Sequence, residues 1–401
     1  MRPSQASALA LVAAVVGGAL VLVVARAAGF LHREGARTVV VQSVPAETAP
    51  AVAVAKPLAG NGFQPAGIYR TRSAGVVTIV SYFGASNSPG ASAGQGSGFV
   101  VRKDGLILTN AHVITTAGSG AAGAAAPART VYVEYADGDR VQAEIVGYDL
   151  FDDVGVVRVD PADHALAPVP LGRSSRVVVG EPVAAIGSPF GITDSLSVGV
   201  VSAIHRAIPS LTTRFDIVDA IQTDASINHG NSGGPLFDAR GLVVGINAQI
   251  RSSGTDSGSE GVGFAVPIDS ARRSLQQLLA TGRVRYAYVG ITTEDLTPSI
   301  ARKFGYGARQ GALIDAVQAG SAAERAGLEP GSAEHVFDGQ TVRTGGDAIV
   351  AIDGIPVRNA GDVVRIVSER LAPGDRARFT VVHGAARRVV TVTLGARTTS
   401  G

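Results

Sequence analysis

Cysteine is absent from all 401 residues, which excludes disulfides, zinc–thiolate sites, iron–sulfur clusters and a thiol nucleophile. With no cysteine to read, the redox compartment is not written in this chain. Charge is also scarce and balanced. Thirty-five Lys plus Arg against 33 Asp plus Glu leave a formal +2, so no large single-sign field points to nucleic acid. At 17% charged and 46% hydrophobic residues, the composition is not that of a wholly disordered chain. Aromatic residues make up only 5%. No G-x-x-x-x-G-K-[ST] phosphate loop occurs, and no collagen-like G-X-Y repeat accompanies the 51 glycines. Those glycines are expected in turns and loops of a β-rich fold. The length suits two globular cores with a remainder, and no repeat relates the two.

The remainder lies at the N-terminus. Residues from Pro3 to Ala25 carry no charge, and Ala8–Ala25 is apolar throughout. That length predicts a membrane-spanning helix within an anchor at residues 1–37, with a cleaved signal ending at Ala25-Arg26-Ala27 as the competing reading. Orientation is poorly specified, because Arg2 lies on one side and Arg26, Arg33 and Arg37 on the other. Residues 38–64 are rich in Ala, Val and Pro and read as an extended linker.

From residue 65 to 282 short β-type runs are cut by Gly and Asp turns. Val76–Tyr82, Leu106–Thr109, Thr130–Tyr135, Pro182–Ile186 and Leu242–Asn247 are among them. This spacing predicts an all-β barrel or sandwich. Ala117–Ala128 and Ser253–Glu260 read as mobile surface loops. A helix over Ile268–Thr281 closes the block, with Asp269 or Ser270 as its cap and Leu275, Leu278 and Leu279 on one face. Residues 283–401 form a second block of strands with one or two helices.

The sharpest chemical feature is Gly230-Asn231-Ser232-Gly233-Gly234-Pro235-Leu236. A nucleophilic serine needs a tight, glycine-permitted turn where backbone N–H groups converge on a developing oxyanion. It also needs a base. Leu108-Thr109-Asn110-Ala111-His112-Val113 places a histidine just after a strand, and Phe151-Asp152-Asp153-Val154-Gly155-Val156 sets a carboxylate immediately before an apolar strand. A carboxylate so placed can hold an imidazole in one tautomer. The chain order His, Asp, Ser is that of double-barrel enzymes of the chymotrypsin type, not of subtilisins or α/β-hydrolases. His32, His164, His205, His229, His335 and His383 stand in no comparable context.

Together with Gly96-Ser97-Gly98-Phe99, Ala185–Gly191, Gln222–Leu236 and Gly261–Pro267, these segments resemble the HtrA (Deg) family of serine proteases, from about Ile68 to Leu394. The resemblance implies a mostly β fold: a chymotrypsin-like double β-barrel protease domain followed by an α+β PDZ domain, behind the N-terminal transmembrane helix. It implies an endopeptidase of unfolded or misfolded proteins, working in protein quality control and stress response, and the missing phosphate loop makes that activity ATP-independent. It also implies a homotrimer at the cell membrane, single-pass, with both folded domains extracytoplasmic. No cofactor or metal is called for. The rival function is a chaperone or adaptor whose protease fold is latent.

Carried over residue by residue, the resemblance makes Ser232 the nucleophile, His112 the base and Asp153 the orienting acid, with Asp152 as the rival acid. The backbone N–H groups of Gly230 and Ser232 form the oxyanion hole. His229 departs from the Pro that many members carry before the oxyanion glycine, so the resting shape of that loop does not follow from the likeness. The specificity pocket is expected around Ser226, Ile227, Gly245 and Asn247. Ser226 stands six residues before the nucleophile, where trypsin-like enzymes that select Lys or Arg carry Asp, so a small aliphatic P1 residue is expected. In the second block Tyr288-Val289-Gly290-Ile291 resembles the PDZ loop whose backbone N–H groups cradle a peptide's C-terminal carboxylate. Residues Gly331 to Gly345 are an insertion relative to shorter members.

Overall fold

The computed structural model describes residues 62–84, 93–119, 125–187, 195–213, 215–228, 230–248 and 261–397. The expected anchor at 1–37, nearly all of the linker, the Ser253–Glu260 loop, His32 and His229 lie outside the described residues. Among those described, no helix is long and apolar enough to cross a membrane.

Twelve strands form two closed antiparallel barrels. The first contains β1 (Val76–Tyr82), β2 (Ala93–Val100), β3 (Leu106–Thr109), β4 (Thr130–Glu134), β5 (Arg140–Asp149) and β6 (Val154–Arg158), in the order β1-β2-β3-β6-β5-β4. The second contains β7 (Pro182–Gly187), β8 (Ser195–Pro209), β9 (Asp216–Thr223), β10 (Pro235–Asp238), β11 (Val243–Ala248) and β12 (Gly263–Pro267), in the order β10-β11-β12-β9-β8-β7. Closure removes free edges, and the strand sequences fit it. β4 and the first half of β5 alternate buried and less buried positions, whereas β3, β10 and β11 are buried along their whole length. One apolar cluster spans the seam, joining Phe99, Leu106 and Val154 to Ile186, Phe237 and Ile246, with Leu275 and Leu278 of the helix Ile268–Thr281 packed on it. The two barrels therefore share a core, which fixes the geometry of anything built between them.

Several local expectations are corrected. The helix Ile268–Thr281 has Pro267 at its N-cap with no side-chain cap bond. Asp269 instead accepts from the Ser175 amide at 3.0 Å, because the helix follows β12 without a break and its first carboxylate faces the neighbouring loop. Leu279 does not share the buried face and is 40% exposed. Ala117–Ala128 is not a free loop at its ends. Thr116 to Ser119 form a 3-10 turn, and the Thr116 and Ala128 amides bond to the carbonyls of Ala126 and Ile114. An extra helix, Pro65–Arg72, precedes β1; it buries only Ile68, so no apolar periodicity announced it.

After the helix Ile268–Thr281 come β13 (Ala287–Tyr288), β14 (Ile291–Leu296), β15 (Gly311–Val317), β16 (Ala333–Phe337), β17 (Gln340–Thr344), β18 (Asp347–Ile352), β19 (Ile355–Pro356), β20 (Arg376–His383), β21 (Ala386–Thr393) and β22 (Gly395–Ala396). The main sheet runs β14-β15-β18-β20-β21, which leaves β14 on an edge. Its own core includes Ile314, Ile352, Phe379 and Val392 of the sheet and Val363 and Ile366 of the helix Ala360–Arg370. The insertion between Gly331 and Gly345 folds as the β16–β17 hairpin, turning on Asp338 and Gly339, both with positive φ.

Candidate active site

His112 is held by the shortest possible route. The strand β3 ends at Thr109, and a single helical turn, Ala111–Ile114, carries the imidazole out of the first barrel. Asp153 sits directly before β6 with φ of +53°, a left-handed conformation that Asp tolerates better than most residues. That kink lets one carboxylate serve the same neighbour twice. Its Oδ1 accepts the His112 backbone N–H at 2.9 Å, and its Oδ2 lies 2.7 Å from His112 Nδ1. The Asp153 carbonyl accepts from the Asn110 amide group and from the Ala111 N–H. Asp153 is 1% exposed, so these bonds act in a low-dielectric setting. The pairing fixes the proton on Nδ1 and leaves Nε2 as the basic nitrogen.

Ser232 comes from the other barrel, on the turn before β10. Its carbonyl accepts the Ser97 amide of β2 at 2.7 Å, which stitches the turn across the seam. The Ser232 hydroxyl is buried and has no hydrogen-bond partner among the described residues. Gly230 has φ of +100° and its carbonyl accepts the Ser97 hydroxyl at 2.5 Å. Gly233 has φ of +86°, and a Cβ there would lie 2.1 Å from the Ser97 carbonyl and 2.4 Å from the Thr109 hydroxyl. Only glycine fits that position.

In the sequence Ser97 stands out only as part of the Gly96-Ser97-Gly98-Phe99 motif. In the structure it is the hub of the turn, since its carbonyl also accepts the Thr109 hydroxyl at 2.6 Å. A small polar residue between two glycines on a strand was the only available sign.

Asp152 does not face the histidine. It points to the chain that leaves the closing helix, where the Tyr286 hydroxyl lies 2.7 Å from its Oδ2 and Arg273 stands 3.6 Å away. Of the four residues expected to form a specificity pocket, Ile227 is buried and Ser226 is exposed. Gly245 is enclosed against Ala265, and Asn247 donates to the Pro235 carbonyl at 3.2 Å while its backbone pairs with Gly233 and Gly234. The other described histidines have partners of their own: His164 stacks on Tyr135, His205 pairs with Asp219, His335 packs on Phe304 and His383 pairs with Asp347.

Tyr288–Ile291 passes under the helix Ala360–Arg370. Gly290 has φ of +83°, and a Cβ there would approach Ser321 Cβ to 2.2 Å. The carbonyls of Val289 and Gly290 are taken by the Ala323 and Gln318 amides, which fixes the loop's shape. A groove runs between β14 and the helix, lined by Tyr288, Ile291, Thr293, Val363, Val364 and Val367.

Two antiparallel barrels with His112–Asp153 on one and a glycine-bedded Ser232 on the other define a chymotrypsin-like protease domain, here followed by a PDZ domain. The trypsin-like peptidase domain family matches residues 96–246, and the PDZ domain family matches residues 287–394. A putative serine protease HhoA from Synechocystis sp. is 35% identical over 308 residues, covering 75% of this chain and 70% of that protein. A probable periplasmic serine endoprotease DegP-like from Hahella chejuensis is 38% identical over 300 residues, covering 75% of this chain. The chain spans only 56% of that DegP-like relative's length. Among solved structures, an HtrA-type protease AlgW with tripeptide superposes with a TM-score of 0.66 at 30% identity, covering 84% of this chain and 98% of that one. The chain belongs to the HtrA (Deg) family of trypsin-like serine proteases.

Proposed function

We propose that the protein is an ATP-independent serine endopeptidase of the cell envelope that cleaves unfolded or misfolded proteins. The observation that carries this reading is the double grip of Asp153 on His112 across the seam from Ser232. Asp153 sets the tautomer, His112 Nε2 takes the serine proton, and Ser232 attacks the scissile carbonyl to give an acyl-enzyme. His112 then returns the proton to the leaving amine. The N–H groups of Gly230 and Ser232 receive the oxyanion, and the left-handed Gly230 supports that role. The uncharged Ser226 and buried Ile227 favour a small aliphatic P1 residue, without a sharp choice, since one methylene is worth ~1–3 kcal/mol. Incubating the purified chain with unfolded casein and no nucleotide tests this reading; steady appearance of peptides is the expected result.

A second reading, an adaptor with a latent protease fold, is favoured by the unpartnered Ser232 hydroxyl. Catalytic hydrogen bonds are often long before substrate arrives, so the first reading stands ahead. Intact casein after prolonged incubation would reverse that order.

The protease domain occupies residues 65–282 and the PDZ domain 283–401, in a homotrimer of the kind the family resemblance implies. The apolar Ala8–Ala25 segment anchors the chain, with both domains outside the cytoplasm. Protease shaving of spheroplasts is expected to digest the catalytic domain. A protected domain recovered in the soluble cytosolic fraction would contradict the anchor.

The edge strand β14 adds a substrate tail by β-augmentation, and the Tyr288–Ile291 loop holds its carboxylate. A peptide with an apolar C-terminal residue is expected to bind the full chain with micromolar Kd, about −8 kcal/mol. Fluorescence anisotropy should show at least a tenfold loss for the same peptide with an amidated C-terminus. Gly290→Ala should lose binding similarly, because both the φ and the space at Gly290 exclude a Cβ. Equal affinity for acid and amide would remove the carboxylate role.

A further inference from the structure

The loop that aims Asp153 is fastened at its other end by a group of buried polar residues that the proteolytic reading does not use. Asp149 closes β5, and its Oδ1 accepts the amides of Phe151 and Asp152, so this one carboxylate shapes the turn leading into Asp153. Its Oδ2 accepts the Ser274 hydroxyl at 2.6 Å and lies 2.5 Å from the Tyr286 hydroxyl. That same hydroxyl lies 2.7 Å from Asp152 Oδ2. Tyr286 stands between the closing helix of the protease domain and β13 of the PDZ domain. Asp149, Asp152 and Tyr286 are 2%, 5% and 3% exposed.

A phenol carries one O–H and can donate to only one of the two carboxylates. The second contact, between two acceptor oxygens, needs a proton on a carboxyl group. Burial first, then the charge of Asp149, pushes Asp152 up to about 6, and burial raises Asp149 also. Tyr286 is driven well above its ordinary value by burial and by the two carboxylates. The cations nearby are Arg273, 3.6 Å from Asp152, and Arg397, whose guanidinium lies over the Phe151 and Phe215 rings.

We propose that Tyr286 is a positioning residue for the catalytic acid: its hydroxyl bridges Asp149 and Asp152 and thereby holds the 149–153 loop, so that Asp153 stays aligned on His112. A residue just beyond the protease domain, between the helix Ile268–Thr281 and β13, thus completes the protease site. This inference rests on the proposed triad, and its test includes a readout that needs no activity.

Tyr286→Phe, made in the full chain, removes one oxygen and keeps the ring edge packed against Phe151 at 5.3 Å between centroids. The variant is expected to lose about 5–20-fold in kcat on casein-derived peptides, with KM within twofold. The low-field proton resonance of the His112 Nδ1–H···Asp153 bond should shift or broaden. Asp152→Asn is the second variant. Its side-chain NH₂ donates to the tyrosine oxygen while the phenol donates to Asp149, so the bridge survives, and kcat and the resonance should stay near wild type. An unchanged resonance and kcat in Tyr286→Phe would overturn the proposal. So would an Asp152→Asn variant as impaired as Tyr286→Phe. If the wild-type chain cleaves nothing, the resonance alone still decides whether Tyr286 aligns the pair, and the failure then lies with the protease reading.

Discussion

Replacing Ser232 with alanine is expected to abolish casein cleavage while leaving the fold intact. The hydroxyl makes no hydrogen bond among the described residues, so its loss leaves no buried partner unsatisfied. The backbone bonds that shape the turn, Ser97 N–H to the Ser232 carbonyl and Gly233 N–H to the Asn247 carbonyl, do not involve the side chain. Structure and stability should therefore be unchanged by circular dichroism and thermal melting. Chemistry should not: losing the nucleophile of such a triad costs on the order of 10⁴–10⁶ in kcat. Activity within tenfold of wild type would remove Ser232 from the mechanism.

Asp153→Asn is expected to cost about 10⁴ in kcat with the fold equally undisturbed. The φ of +53° is no obstacle, since Asn visits the left-handed region at least as readily as Asp. The damage is in the hydrogen bonds. Asp153 accepts from the His112 backbone N–H and from His112 Nδ1 with separate oxygens. An amide offers one acceptor. With its oxygen on the backbone N–H, its NH₂ faces Nδ1, which must then be unprotonated, and the proton moves to Nε2 where the base is needed. The check is kcat across pH: partial recovery at alkaline pH is compatible with a tautomer defect. A variant within tenfold of wild type at neutral pH would show that Asp153 does not set the tautomer.

Much of this was legible before any coordinates, because it is written in local pattern. The strands Val76–Tyr82, Leu106–Thr109 and Gly311–Val317 and the helix Ile268–Thr281 follow directly from apolar runs bounded by turn residues. The order His112, Asp153, Ser232 points to a barrel type by itself, with His112 just after one apolar run, Asp153 just before another and Ser232 on a glycine-rich turn. The helix Pro298–Phe304 is not announced by apolar periodicity, although Thr297 caps it through the Ile300 amide and Pro298 opens it. With seven residues it is too short for periodicity to show. What pattern cannot carry is a contact between polar residues far apart in the chain. Ser97 reaches Gly230 across 133 residues, and Tyr286 reaches Asp149 across 137. Neither leaves a trace in hydropathy, because each depends on the closed fold placing a strand residue beside a distant connecting segment. The roles of His112, Asp153, Ser232 and the peptide loop came from chemistry and family resemblance, and the experiments above decide them.

The exposed edge of β14 poses a problem of self-recognition. A strand that accepts a passing peptide through its main chain will, by the same bonds, accept the β14 of another copy. Glu294 and Asp295 sit side by side on that strand, both exposed, and Asp315 on β15 lies close enough to raise the Glu294 carboxyl after burial has done so. Glu294 and Asp295 point to opposite faces of the sheet, so two such strands laid antiparallel would set carboxylates of the two copies across from one another. Like charges there oppose pairing, with Arg343 beside Asp315 offsetting part of that charge. A neutral or basic tail meets no such repulsion. If β14 is the peptide-accepting edge proposed above, the same charge is expected to disfavour acidic tails relative to apolar, weakly charged ones.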